Sequence, residues 1–167
     1  MLTFILGGAR SGKSRRAQAM AEATSGRLIF IATAQAFDAE MTDRIERHRL
    51  DRDSRWMTVE APVDLADAIR VHGSSGNVLL VDCLTLWLSN LLIAEADIDM
   101  AADDLIDALA AAPCPVFVVS NEVGLGIVPD NALARQFRDH AGRLHQRIAA
   151  QADHVEWMVA GLSLRMK

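Results

Sequence analysis

The chain has 167 residues, of which 51% are apolar and 23% charged, and its formal net charge is −5. That length holds one domain with a sizeable core, and the acidic balance argues against nucleic-acid binding through a basic surface. No secretory leader and no membrane span is expected: the apolar start runs straight into glycines, and the longest apolar run, residues 84–93, is short and contains Ser89 and Asn90.

The apolar run 2–6 reads as a short buried strand. It is followed at once by Gly7, Gly8, Ala9, Arg10, Ser11, Gly12, Lys13 and Ser14. This is G-x-x-x-x-G-K-[ST] between a strand and an alanine-rich helix over 13–24, the setting in which that spacing binds a nucleoside triphosphate. Backbone N–H groups of such a turn form an anion nest, and the helix adds the positive end of its dipole. Lys13 reaches the β- and γ-phosphates, and the Ser14 hydroxyl suits a phosphate-bound Mg²⁺.

Apolar runs then alternate with helical patterns. Strands are expected over 27–32, 56–60, 77–81, 116–120 and 154–159, and helices over 38–52, 63–71, 84–93, 100–111 and 131–151. Strict alternation predicts an α/β fold of three layers, a mostly parallel sheet flanked by helices, in a single domain over 1–167. The continuous apolar character of 78–81 and 116–119 suits central strands. Gly73, Ser74, Ser75 and Gly76 form a loop before the fourth strand.

Ligands of such sheets sit at the carboxyl ends of the strands. Those ends offer the phosphate loop, Thr33, Glu60, Asp82 and the run Ser120, Asn121, Glu122. Asp82 follows an apolar strand, as a carboxylate near Mg²⁺ does in phosphate-loop proteins; the alternative is an acid capping the next helix. Cys83 and Cys114 show neither metal spacing nor a disulfide framework, so they read as buried thiols of a cytoplasmic protein.

The helix over 38–52 is dense in charge. Arg44, His48 and Arg52 are four apart and stack on one face. Neighbouring arginines disfavour the imidazolium, leaving a neutral nucleophile beside a phosphate-holding surface. A solvated helix with pairs such as Asp43 and Arg47 explains the same spacing. The apolar stretch 84–93 reads either as a core helix or as a surface for a subunit or the substrate.

Five segments, in order along the chain, match one family: 7–15 (GGARSGKSR), 31–33 (IAT), 40–49 (EMTDRIERHR), 120–129 (SNEVGLGIVP) and 133–146 (LARQFRDHAGRLHQ). The chain resembles the bifunctional adenosylcobinamide kinase / adenosylcobinamide-phosphate guanylyltransferases of cobalamin synthesis. The resemblance implies phosphorylation of adenosylcobinamide by ATP or GTP. It further implies attack of a histidine on the α-phosphorus of GTP and transfer of GMP to adenosylcobinamide phosphate. It assigns that histidine to His48. It places GTP contacts on residues 7–14, on Ala32, Thr33 and Ala34, on Arg49, Leu50, Asp51 and Arg52, and on Glu60 and Asp82, and it implies a homotrimer. Ser14 and Asp82 are the expected Mg²⁺ ligands; Glu122 and Asp82 are candidate bases for the kinase step. Two other readings remain: a kinase that transfers only the γ-phosphate, and a nucleotide-dependent switch. Neither gives His48 a role.

Overall fold

A computed structural model describes residues 1–35 and 53–167. The expected helix over 38–52, with His48, lies outside the described residues.

Among the described residues, the elements in chain order are β1 (Leu2–Gly7), α1 (Lys13–Glu22), β2 (Arg27–Ala32), β3 (Trp56–Glu60), α2 (Leu65–His72), β4 (Asn77–Asp82), α3 (Leu84–Ile93), α4 (Ile98–Ala111), β5 (Val116–Asn121), α5 (Ala132–Gln151), β6 (His154–Val159) and β7 (Leu162–Arg165). They form a seven-stranded sheet in the order β3-β2-β4-β5-β1-β6-β7. Every pairing is parallel except that of β6 with β7.

The two-residue period of the strands divides the core. Leu2, Phe4, Ile29, Ile31, Leu79, Val81, Val116 and Val118 face one side, against α2, α3, α4 and α5. Ile5, Leu28, Phe30, Val78, Leu80, Phe117 and Val119 face the other, against Ala17 and Ala21 of α1. This is the three-layer α/β fold expected from the alternation. Helix starts are set by side-chain caps where the sequence provides them: Asp97 accepts from the Met100 N–H at 3.0 Å, and Asn131 from the Ala134 N–H at 2.7 Å. Hence α4 starts two residues earlier than expected, and Asn131 caps α5 rather than opening it. The strand β7 was not expected; all four of its residues are exposed, so no buried face marks it in the sequence.

Candidate active site

The carboxyl ends of the parallel strands lie level. Across the ladders Ala32 stands beside both Glu60 and Asp82, and Gly7 beside Asn121. Residues distant in sequence thus line one edge in the row Glu60, Ala32, Asp82, Asn121, Gly7, with the phosphate loop at its β1 end.

Gly7 closes β1 with no room for a side chain. A Cβ there would stand 2.6 Å from Ser11 Oγ and 2.7 Å from the Met158 carbonyl oxygen. Gly12 adopts φ +92°, a left-handed conformation that glycine takes without penalty, and it forms the N-cap of α1 with no side-chain cap bond. The first N–H groups of α1 are therefore not satisfied by a capping side chain. The loop is braced by two bonds: Ser11 N–H to the Gly8 carbonyl at 3.3 Å, and Gly161 N–H to the Ser11 carbonyl at 3.0 Å. Lys13 is buried, with Nζ donating to the Gly8 carbonyl at 3.0 Å. Ser11 Oγ is buried with no hydrogen-bond partner. A buried ammonium, an orphan hydroxyl and an uncapped helix start are together what a phosphate group satisfies. Arg16 serves a different purpose. It grips Glu156 of β6 with two bonds of 2.8 Å, and this pairing holds the Glu156 carboxyl below its ordinary range.

Asp82 ends β4, with β5 between it and the strand that carries the loop. Burial and the Asp82 charge push the Cys83 thiol up while Lys13 pulls it the other way, so an acid and a base flank that thiol. The alternative role of Asp82 as a cap of α3 is not taken: Cys83 is the N-cap, and no side chain bonds there. Among the described residues no three His, Cys, Asp or Glu side chains cluster to hold a metal by themselves. Ser14 on the first turn of α1 and Asp82 are hard oxygen donors. They fit a Mg²⁺ ion whose remaining ligands are phosphate oxygens and water, the usual habit of that ion.

A polar clamp ties the neighbouring strand ends. Thr33 is buried; its Oγ1 donates to the Cys83 carbonyl at 2.7 Å and accepts from the Cys83 N–H at 2.8 Å. Asn90 of α3 donates to the carbonyls of Thr33 at 2.8 Å and Pro62 at 2.9 Å. Trp87 Nε1 donates to the Val63 carbonyl at 2.7 Å. The apolar stretch 84–93 is thus a core helix, with Leu84, Thr85, Trp87, Leu88, Asn90 and Leu91 buried. Its two buried polar residues, Thr85 and Asn90, reach the site, and sequence reading passed over them. Their signal was polarity within an otherwise largely apolar stretch.

Of the other expected residues, Ala32 and Ala34 are half-buried beside Thr33, while Glu60 is exposed at the end of edge strand β3. His48, Arg49, Leu50, Asp51 and Arg52 lie outside the described residues. The Glu122 carboxylate is engaged as a turn acceptor, from the Gly124 N–H at 2.6 Å and the Leu125 N–H at 3.3 Å. A further residue without an expected role is His145 of α5. Its Nε2 lies 2.7 Å from Ser120 Oγ, and its ring packs on Phe4 with centroids 5.6 Å apart. Burial pushes its imidazole down to about 4, and the Glu122 charge offsets only part of this.

Comparison with known proteins gives one consistent result. The model of the family described as "Cobinamide kinase / cobinamide phosphate guanyltransferase" matches residues 3–166. A Pseudomonas aeruginosa protein named bifunctional adenosylcobalamin biosynthesis protein CobP is 46% identical over all of this chain and 98% of its own length. Its Salmonella typhimurium counterpart CobU is 41% identical over the full length of both. Among solved structures, an ATPase from a bacterial type III secretion system superposes with a TM-score of 0.56 at 14% identity, covering 98% of this chain and 56% of that one. A structural-study target from Pyrococcus horikoshii OT3 gives 0.58 at 6% identity, covering 99% and 85%. These two likenesses concern the fold alone.

Proposed function

The chain belongs to the cobinamide kinase / cobinamide phosphate guanyltransferase family, a bifunctional kinase and guanylyltransferase of adenosylcobalamin biosynthesis, and from that premise we propose that a single phosphate loop serves both reactions and that His48 carries the GMP between them. The observation that supports a shared loop is the loop itself: buried Lys13, orphan Ser11 Oγ and the uncapped start of α1 together suit a phosphate group.

In the kinase step the loop N–H groups and Lys13 hold the triphosphate and balance its charge as the γ-phosphoryl group moves to the alcohol of adenosylcobinamide. Such transfers depend mainly on positioning and charge neutralisation. In the second step His48 attacks the α-phosphorus of GTP, and pyrophosphate leaves. The phosphoramidate then passes GMP to adenosylcobinamide phosphate, a double displacement that splits one hard transfer into two. Arg44 or Arg52 steadies the α-phosphate, an electrostatic role worth about 3 kcal/mol of barrier. A bound Mg²⁺ would be held by Ser14 and Asp82 and would neutralise phosphate charge. Ala32, Thr33, Ala34, residues 49–52 and Glu60 complete the GTP contacts.

We place the enzyme in the cytoplasm as a homotrimer. The two thiols, buried and unpaired, fit a reducing compartment, and no helix among the described residues is long and apolar enough to cross a membrane. Sedimentation at micromolar concentration tests the trimer.

The decisive experiment labels the protein with GTP carrying the label at the α- or the γ-phosphate. A denaturation-resistant, acid-labile adduct bearing only the α label is expected in the native chain and absent in His48→Asn. An adduct that persists in His48→Asn removes His48 from the role. Transfer of the γ label to cobinamide with no adduct at all points to the plain kinase.

A further inference from the structure

Strand β5 lies between β1, which carries the phosphate loop, and β4, which ends at Asp82. Its last residue, Asn121, pairs in register with Gly7. The next residue is tied to the same glycine, with the Glu122 N–H donating to the Gly7 carbonyl at 2.9 Å. Asn121 therefore stands one strand spacing, about 4.8 Å, from the first residue of the loop.

The orientation of its amide is set by α3. Nδ2 donates to Thr85 Oγ1 at 2.7 Å and lies 3.7 Å from Cys83 Sγ. The Asn121 backbone N–H also points at Thr85 Oγ1, at 3.5 Å. The threonine hydroxyl thus acts as acceptor toward Asn121, and Cys83 Sγ, 3.1 Å away, is available for its own hydrogen. As placed, the amide nitrogen rather than the oxygen faces Thr85. Oδ1 accepts a bond from no described residue, and Asn121 is only half-buried.

Phosphate oxygens require donors. A carbonyl oxygen held beside the phosphate loop suits a hydroxyl group instead. We propose that Asn121 Oδ1 accepts the hydrogen bond of the substrate alcohol and aims the alcohol oxygen at the γ-phosphorus, with Thr85 as the positioning residue that fixes the amide. The proposal deepens the kinase half of the function and rests on the phosphate loop being the kinase site. In the step, the alcohol oxygen forms the new bond to the γ-phosphorus. The bond from that phosphorus to the β–γ bridging oxygen breaks, and its electron pair leaves with the nucleoside diphosphate. An amide carbonyl is too weak a base to take the alcohol proton, which passes to an oxygen of the transferred phosphoryl group. No carboxylate base is required, in keeping with the engagement of Glu122 in its own turn.

The test measures phosphorylation of cobinamide by ATP, with ATP affinity determined separately in each variant. Asn121→Ala is expected to lower kcat by about 30-fold or more, the order expected for losing alignment of a nucleophile, while ATP affinity stays within about threefold. Thr85→Val keeps the buried volume, removes the acceptor for Nδ2, and is expected to lower kcat by about tenfold at unchanged ATP affinity; Thr85→Ser restores it. Unchanged kcat in either Asn121→Ala or Thr85→Val overturns the proposal. So does a parallel loss of ATP affinity and kcat in Thr85→Val, which would mark a purely structural role. If Asn121→Ala does not fold, the Thr85 pair decides alone. Failure of the guanylyl-histidine reading shows in the α-label adduct of the native chain and leaves these outcomes readable.

Discussion

Lowering the pH from 7 to 5 is expected to cost this protein about 2 kcal/mol of stability through His145 alone. In the fold the imidazole titrates near 4, against an ordinary value of 6.5, because it is buried beside Phe4 and Ser120. Between those two values the unfolded chain binds a proton that the native state refuses. Stability therefore rises with pH across that window, is fully present above about 6.5, and is lost as pH falls toward 4. The whole effect, once both states are protonated, is about 3 kcal/mol. Urea unfolding at pH 7 and pH 5, for the native chain and for His145→Gln, isolates it. Glutamine is neutral throughout, while other titrating pairs, Arg16 with Glu156 among them, are common to both proteins and cancel. The native chain should lose about 2 kcal/mol more than the variant, equivalent to about 4–8 °C in Tm for a domain of this size. Equal pH dependence in the two proteins would refute the argument that burial holds this ring neutral.

Further outcomes follow from the site. Lys13→Ala removes the buried ammonium and should weaken nucleotide binding about 10- to 100-fold, the range for a hydrogen bond to a charged group; calorimetric titration with GTP measures it, and both reactions should suffer. Gly7→Ala drives a methyl into Ser11 Oγ and the Met158 carbonyl and should destabilise by about 1–3 kcal/mol, with loss of GTP binding in the same titration. Asn90→Ala strands the buried carbonyl of Thr33 and the partly buried one of Pro62, and should cost about 2–3 kcal/mol by urea unfolding.

Much of this architecture is legible in the residues because each signal there is local. The alternation of apolar runs with helical patterns yields the layer order, and β2, β3, α3 and β6 begin and end where the patterning places them. The phosphate loop is legible because its glycines, Lys13 and Ser14 are fixed by spacing alone. Other features depend on contacts between distant segments. The bond from Thr85 to Asn121 spans 36 positions, and Ser120 meets His145 across 25. No periodicity encodes either. His145 does fall on the buried stripe of α5, between Leu144 and Ile148, which is the one trace it leaves in the sequence. Strand β7 leaves none, since it owes its place to hydrogen bonds with β6 and has no buried side of its own.

The support of the phosphate loop from behind has a consequence for the order of events during synthesis. The loop is translated well before the groups that shape it. Met158 fills the space Gly7 leaves, Glu156 grips Arg16, and Gly161 bonds to Ser11. A nascent chain carries the complete nucleotide motif long before it carries these partners, and pairings over such sequence distance form slowly. Nucleotide capture should therefore wait until β6 and the turn after it have left the ribosome, so that the ligand greets a finished sheet rather than guiding an unfinished one.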